Sequence, residues 1–157
     1  MKIRYALTTI TVLAIALTGL AMASPTVEDQ IKARQSAYTF MGWNMNRIRA
    51  QVIDNEVEFN ADQIRAAANA IAATANSGMS AMYSPESVEG TGWKPTRLEP
   101  AFFEDMERTG EIASNFVQQA NALAEAAEGG NPDAIAVQFR ETASACGDCH
   151  RPFRAPE

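Results

Sequence analysis

The chain has 157 residues, of which 46% are hydrophobic and 20% are charged, and its formal net charge is −6. This length is typical of a single domain. A net negative surface argues against nucleic acids and anionic membranes as partners, because both repel negative charge.

The N-terminal segment, MKIRYALTTITVLAIALTGLAMA, has the three parts of a secretory signal peptide. It opens with the basic residues Lys2 and Arg4, continues with an apolar run and ends in an A-x-A cleavage site at Ala21-Met22-Ala23. The alternative is a membrane anchor, but the apolar run is short for a span of about 20 residues. We therefore expect cleavage before Ser24 and a periplasmic domain of residues 24–157, whose net charge becomes −8 once Lys2 and Arg4 are lost.

The first two helices are predicted from apolar side chains that recur on one helical face. The first helix runs from about Val27 to Val52, with the stripe Ile31, Tyr38, Met41, Met45, Ile48 and Val52. Asn60 and Gln63 form a capping pair that opens the second helix. The stripe of this helix consists of Ile64, Ala68, Ile71, Ala75 and Met79.

The polar loop SPESVEGTGWKP separates these helices from two more. Pro100 is predicted to open the third helix, which ends at Gly129 and Gly130. Its stripe consists of Phe103, Met106, Gly110, Ala113, Val117, Ala120, Ala124 and Ala127. Asn131 caps the fourth helix, and Pro132 occupies its first position. The stripe of the fourth helix consists of Ile135, Phe139, Thr142, Cys146, Cys149, His150 and Phe153.

Four amphipathic helices with mostly short connections predict an all-α fold, an antiparallel four-helix bundle. No segment is a convincing strand. The C-terminal helix of this bundle carries the two cysteines and the single histidine of the chain, all within the pentapeptide CGDCH.

Three kinds of site compete for this pentapeptide, in addition to a plain disulfide. Structural zinc needs four protein ligands, and the chain has no third cysteine and no second histidine. A thioredoxin-like redox pair needs a preceding strand, which is not predicted. The C-x-x-C-H spacing is that of covalent haem attachment, in which Cys146 and Cys149 add to the haem and His150 becomes an axial ligand of the iron. Export from the cytoplasm favours this third interpretation.

A C-terminal C-x-x-C-H on the last helix of an exported four-helix bundle resembles the class II c-type cytochromes, specifically cytochrome c′. The segment IKARQSAYTFMGWNM resembles the first helix of that family. The resemblance implies that the pair Arg34 and Gln35 lies near the haem propionates. The ending CGDCHRPFR resembles that of the family, with Phe153 where tyrosine is usual, and Arg154 after it. Pro152 is unusual there and is expected to shorten the helix.

The resemblance also implies roles at the edge and on the distal side of a single haem c. Thr96 and Arg97 end the long loop where relatives place polar contacts to the haem edge. Tyr38 stands where low-spin relatives have a ligand methionine, which favours a five-coordinate iron covered by the Tyr38 ring. Met41 and Met45 are alternative ligands, although both suit core packing.

Three functions remain open. The first is a haem protein that binds NO or CO, and the second is a low-spin, Met-ligated electron carrier serving redox partner proteins. The third is an enzyme such as a peroxidase, which we do not expect, because His150 is already assigned to the iron and is not free as a distal acid–base group. No membrane contact is expected after signal cleavage.

The first helix carries apolar residues on more than one face, namely Phe40, Met41, Trp43 and Met45. A single bundle core uses only one of these faces, so the other predicts a partner surface. Cytochromes c′ commonly pair through their first two helices, and the resemblance therefore implies a homodimer.

Overall fold

The computed structural model describes residues 24–156, and the predicted signal peptide of residues 1–23 lies outside them. The described residues form four α-helices, α1 (Val27–Val52), α2 (Ala61–Ala75), α3 (Met106–Gly129) and α4 (Pro132–Phe153). The connection between α2 and α3 contains the short 3-10 helices Met79–Met82, Pro85–Val88 and Pro100–Phe103. Among residues 24–156, no helix combines the length and the apolar character needed to cross a membrane.

Each of the four described α-helices begins at a side chain that accepts hydrogen bonds from backbone N–H groups of the first turn, which would otherwise lack partners. These residues are Thr26, Asn60, Asp105 and Asn131. The predicted caps at Asn60 and Asn131 are therefore confirmed. The predicted start of the third helix at Pro100 is wrong, because Pro100 opens a 3-10 turn and Asp105 caps α3 by accepting from the Arg108 N–H.

The helices pack as the predicted antiparallel four-helix bundle, with α1 and α3 each lying against both α2 and α4. The core contains aliphatic side chains from all four helices, including Ile48, Ile64, Ile71, Leu123 and Ile135, which are fully or almost fully buried. Such burial is the main favourable term in the stability of the fold.

The four predicted stripes are only partly correct. In α1 and α4 the predicted inward residues Tyr38 and His150 lie at exposed positions. In α3 the predicted inward residues Met106, Gly110 and Ala113 are exposed, while Thr109 is buried. Glycine and alanine define a helical face poorly, because they bury little apolar surface on either side. In the second helix the stripe stops short of Met79, because Gly78 adopts the left-handed region with φ 78° and starts a separate turn.

Candidate functional site

Cys146, Cys149 and His150 share one face of α4 near its C-terminal end, and His150 is the most exposed of the three. The two cysteines are half-buried and are not joined to each other. Burial raises the pKa of both thiols, which are therefore protonated at neutral pH. Partial burial, together with the nearby Arg154 and Arg97 cations, lowers the pKa of His150. The imidazole is therefore neutral and keeps a lone pair for a metal.

Tyr38 of α1 faces His150 across the end of the bundle. The two ring centroids are 6.5 Å apart and the ring planes make an angle of 69°. This distance is near the outer limit for aromatic rings in direct contact. The space between the two rings, called the gap below, lies beside Cys146 and Cys149, whose thiols are close enough to affect the pKa of Tyr38.

The two thiols, the neutral imidazole and this gap together fit a haem c. Cys146 and Cys149 would hold it covalently, and His150 would bind its iron. The assignment of each residue to the haem remains a prediction.

Arg34 is buried at 7% relative exposure, which excludes a solvated or snorkelling side chain. Its guanidinium donates hydrogen bonds to the Met82 carbonyl (3.0 Å), to the Ser87 hydroxyl (3.0 Å) and carbonyl (3.2 Å), and to the Thr96 hydroxyl (2.9 Å). The side chain thus ties the loop between α2 and α3 to α1. Burial lowers its pKa, yet arginine stays protonated in proteins. Its predicted role towards a haem propionate is untested.

Gln35 binds the same loop with both ends of its amide. Its nitrogen donates to the Lys94 carbonyl (2.8 Å), and its oxygen accepts from the backbone N–H groups of Trp93 (2.8 Å) and Lys94 (3.2 Å). The loop lies so close to α1 that a Cβ on Gly92 would be 2.8 Å from the Lys32 nitrogen. Glycine is therefore required here by the close approach of two backbones.

Thr96 and Arg97 lie where the loop meets both α1 and the end of α4. The Thr96 hydroxyl accepts from Arg34 and donates to the Ser87 carbonyl (3.2 Å). The Arg97 guanidinium donates from Nε to the Ala155 carbonyl (2.7 Å), and the Ala155 N–H donates to the Arg97 carbonyl (2.9 Å). Thr96 is thus part of the Arg34 network, and Arg97 joins the loop to the segment after α4.

Arg154 caps α4, its backbone N–H donating to the His150 carbonyl at 3.2 Å. Its side chain is exposed and close enough to His150 to affect the pKa of the imidazole. Pro152 lies within the last turn, and the helix ends one residue later at Phe153. Phe153 is buried and packs edge-to-face on Phe102, with ring centroids 5.5 Å apart.

Three residues beside the site were missed from the sequence: Tyr83, Ser87 and Phe102. The Tyr83 hydroxyl pairs with the Tyr38 hydroxyl at 2.7 Å, and its ring stacks on Phe102 at 4.6 Å. Ser87 is fully buried. All three lie in the irregular connection, where no periodic pattern marks an inward face. The available signal was the presence of aromatic residues such as Tyr83 and Phe102 in this connection.

A surface cleft of about 650 Å³ lies between α3 and α4, and its lining includes Arg108, Asp148 and Arg151. At 100° per residue, Asp148 and Arg151 project from the side of α4 opposite Cys146 and His150. This cleft is therefore separate from the candidate site.

Comparisons with known proteins agree with the sequence resemblance. The family model "Cytochrome C'" matches residues 29–154. The chain is 46% identical to a cytochrome c′ of Allochromatium vinosum over 145 residues, which cover 88% of this chain and 92% of the relative. It is 43% identical to a cytochrome c′ of Rhodocyclus tenuis over 127 residues, covering 81% and 94% of the two chains.

Solved structures agree as well. The crystal structure of cytochrome c′ from Thermochromatium tepidum superposes with a TM-score of 0.79 at 44% identity, covering 85% of this chain and all of that one. A second cytochrome c′, described as having an unusual ligand-controlled dimer dissociation, superposes with a TM-score of 0.78 at 47% identity, covering 83% and 98%. With this agreement over nearly all of the described residues, the chain belongs to the cytochrome c′ family of haem proteins.

Proposed function

We propose that the chain carries one covalently attached haem c and binds diatomic gases such as NO and CO, with electron transfer to redox partner proteins as a companion role. When bound, the haem would supply an iron that His150 would hold and that could bind a diatomic gas. In this proposal Cys146 and Cys149 anchor the haem. Its polar edge is contacted by five further residues, namely Arg34, Gln35, Thr96, Arg97 and Arg154.

The position of Tyr38 carries this proposal. Its ring faces His150 across the gap, with the two ring centroids 6.5 Å apart. The two methionines that could replace it as ligands are occupied elsewhere: Met41 is 5% exposed within the hydrophobic core, and Met45 packs against that core. A phenol whose hydroxyl is paired with another phenol is a poor iron ligand, so Tyr38 acts as a steric cover.

Two measurements test this function. Mass spectrometry of the exported protein should show one added haem and no free thiol, whereas a Cys146–Cys149 disulfide without haem would exclude the proposal. The ferric protein should also be high spin by optical and EPR spectroscopy, as expected for an iron without a sixth strong ligand. A low-spin wild type that becomes high spin in Met41→Ala or Met45→Ala would favour the electron carrier.

Replacing Tyr38 with Ala should speed CO association. Tyr38 is 36% exposed, so moving its ring costs mainly the hydrogen bond to Tyr83, about 0.5–1.5 kcal/mol, and we expect an increase of about two- to tenfold by flash photolysis. The matched control is Met41→Ala, which truncates a buried residue of the same helix away from the gap and should leave the CO rate unchanged. Equal rates in Tyr38→Ala and wild type would show that Tyr38 does not cover the iron.

We further propose that the protein acts in the periplasm as a homodimer and not as an enzyme. Phe40 and Trp43 are 52% and 64% exposed on α1, while Met41 on the same helix is buried, so α1 does present a second apolar face. The related protein with ligand-controlled dimer dissociation supports pairing.

Sedimentation at micromolar concentration should show a dimer, and Trp43→Glu should weaken it. The control Val137→Glu, at an exposed position of α4, should not.

A further inference from the structure

Tyr83 holds an unusual position beside the gap between Tyr38 and His150. It follows the 3-10 helix Met79–Met82 and reaches back to α1, where its hydroxyl lies 2.7 Å from that of Tyr38. One phenol donates this hydrogen bond and the other accepts it. Because the Tyr38 hydroxyl has this partner, moving the Tyr38 ring out of the gap breaks the bond.

The partner itself is held firmly. The Tyr83 ring stacks on Phe102 with centroids 4.6 Å apart and planes at 8°, and the Arg34 guanidinium lies 4.8 Å from its centroid. Phe102 in turn contacts Phe153 of α4. Arg34 donates hydrogen bonds to Ser87 and Thr96. Tyr83 is therefore anchored to elements on both sides of the site, and its hydroxyl offers Tyr38 a fixed partner.

We propose that Tyr83 is a positioning residue that holds Tyr38 across the gap and thereby sets how fast a gas ligand reaches the iron. This inference rests on the proposed function and extends it. Tyr83 acts through Tyr38 and needs no contact with the ligand. While the bond is closed, the Tyr38 oxygen is held 2.7 Å from the Tyr83 oxygen.

The test uses the haem-loaded protein and the variants Tyr83→Phe, Tyr38→Phe and the double variant. Each replacement removes one hydroxyl and keeps the ring, so the stacking on Phe102 is preserved. The control is Ser80→Ala, which removes a hydroxyl from an exposed position of the neighbouring turn. The chain has three tyrosines, Tyr5, Tyr38 and Tyr83. In protein that begins at Ser24, a tyrosine resonance Raman spectrum of Tyr83→Phe therefore reports Tyr38 alone.

We expect Tyr83→Phe to bind CO about two- to tenfold faster than wild type, the effect of losing one neutral hydrogen bond. The double variant should be no faster than the faster single variant, because both changes break the same bond. The Tyr38 spectrum should shift towards that of a phenol without this partner. A CO rate in Tyr83→Phe equal to that of Ser80→Ala, or additive single effects, would overturn the proposal.

Failure of the proposed function would be seen separately. If wild type binds no CO, the gas-binding proposal is wrong, and the Raman measurement then decides the Tyr83 proposal by itself. A shift of the Tyr38 signal in Tyr83→Phe would support the positioning role, and an unchanged signal would refute it.

Discussion

Replacement of Gly92 with Ala tests how the loop between α2 and α3 is attached to α1. A Cβ at Gly92 would lie 2.8 Å from the Lys32 nitrogen, 2.9 Å from the Gln35 Oε1 atom and 2.9 Å from the Ile31 Cγ2 atom. The Lys32 nitrogen belongs to a helix backbone and cannot move aside by rotating a side chain. The loop must therefore shift away from the helix.

The magnitude follows from the contacts that this shift breaks. Gln35 makes three hydrogen bonds to the loop, at 2.8, 2.8 and 3.2 Å. Because these bonds are exposed to solvent, each contributes only about 0.5 kcal/mol. Residual strain from overpacking adds about 1–3 kcal/mol. We therefore expect Gly92→Ala to lower the free energy of unfolding by about 2.5–4.5 kcal/mol, which corresponds to about 9–16 °C in Tm for a domain of this size.

The assay is urea unfolding followed by far-UV circular dichroism, with Gly110→Ala as the matched control. Gly110 lies exposed within α3, and a Cβ there meets nothing within 4 Å. Alanine favours a helix interior over glycine, so Gly110→Ala should leave stability unchanged or raise it by up to about 1 kcal/mol. If Gly92→Ala and Gly110→Ala have the same free energy of unfolding, the close approach of the loop to α1 does not require glycine at position 92.

Two further predictions concern the bundle itself. Leu123 is fully buried in the core, so Leu123→Ala should lower the free energy of unfolding by about 3–5 kcal/mol in urea titrations; a loss below about 1 kcal/mol would contradict its central position. Hydrogen bonds from Thr26 lower the pKa of Asp29 below its ordinary value of 3.8. The carboxylate of Asp29 therefore stabilises the fold above pH 3.8. This contribution is lost as the pH falls through the lowered pKa. The stability difference between wild type and Asp29→Asn should therefore shrink below pH 3.8, and a difference independent of pH would refute the assignment.

The sequence predicts the helices well because their signals are local. The caps at Asn60 and Asn131, the stop at Gly129 and Gly130, and the inward face of α4 each depend on residues within a few positions of one another. Where local signals were ambiguous, as at Pro100, the predicted boundary was wrong. Proline suits the first position of an α-helix and of a 3-10 turn equally.

The candidate site could be predicted only in part. The C-x-x-C-H spacing predicts Cys146, Cys149 and His150 as candidate ligands, because these residues share one helix. The role of Arg34 as a bridge to the loop, and the pairing of Tyr38 with Tyr83, depend on contacts between distant parts of the chain. No pattern within one segment reports such contacts, and only the packed structure brings them together.

The distances along the chain between residues of the site have a consequence for the order of folding. Tyr38 and Tyr83 are 45 positions apart, Arg34 and Ser87 are 53 apart, and Arg97 and Ala155 are 58 apart. Closing long loops costs more entropy than pairing neighbouring helices such as α3 and α4. We therefore expect the helical hairpins to form first and the loop to close over Cys146 and Cys149 last. Until it closes, both thiols remain accessible, so under the proposed function we expect covalent attachment of the haem to compete in time with the final step of folding.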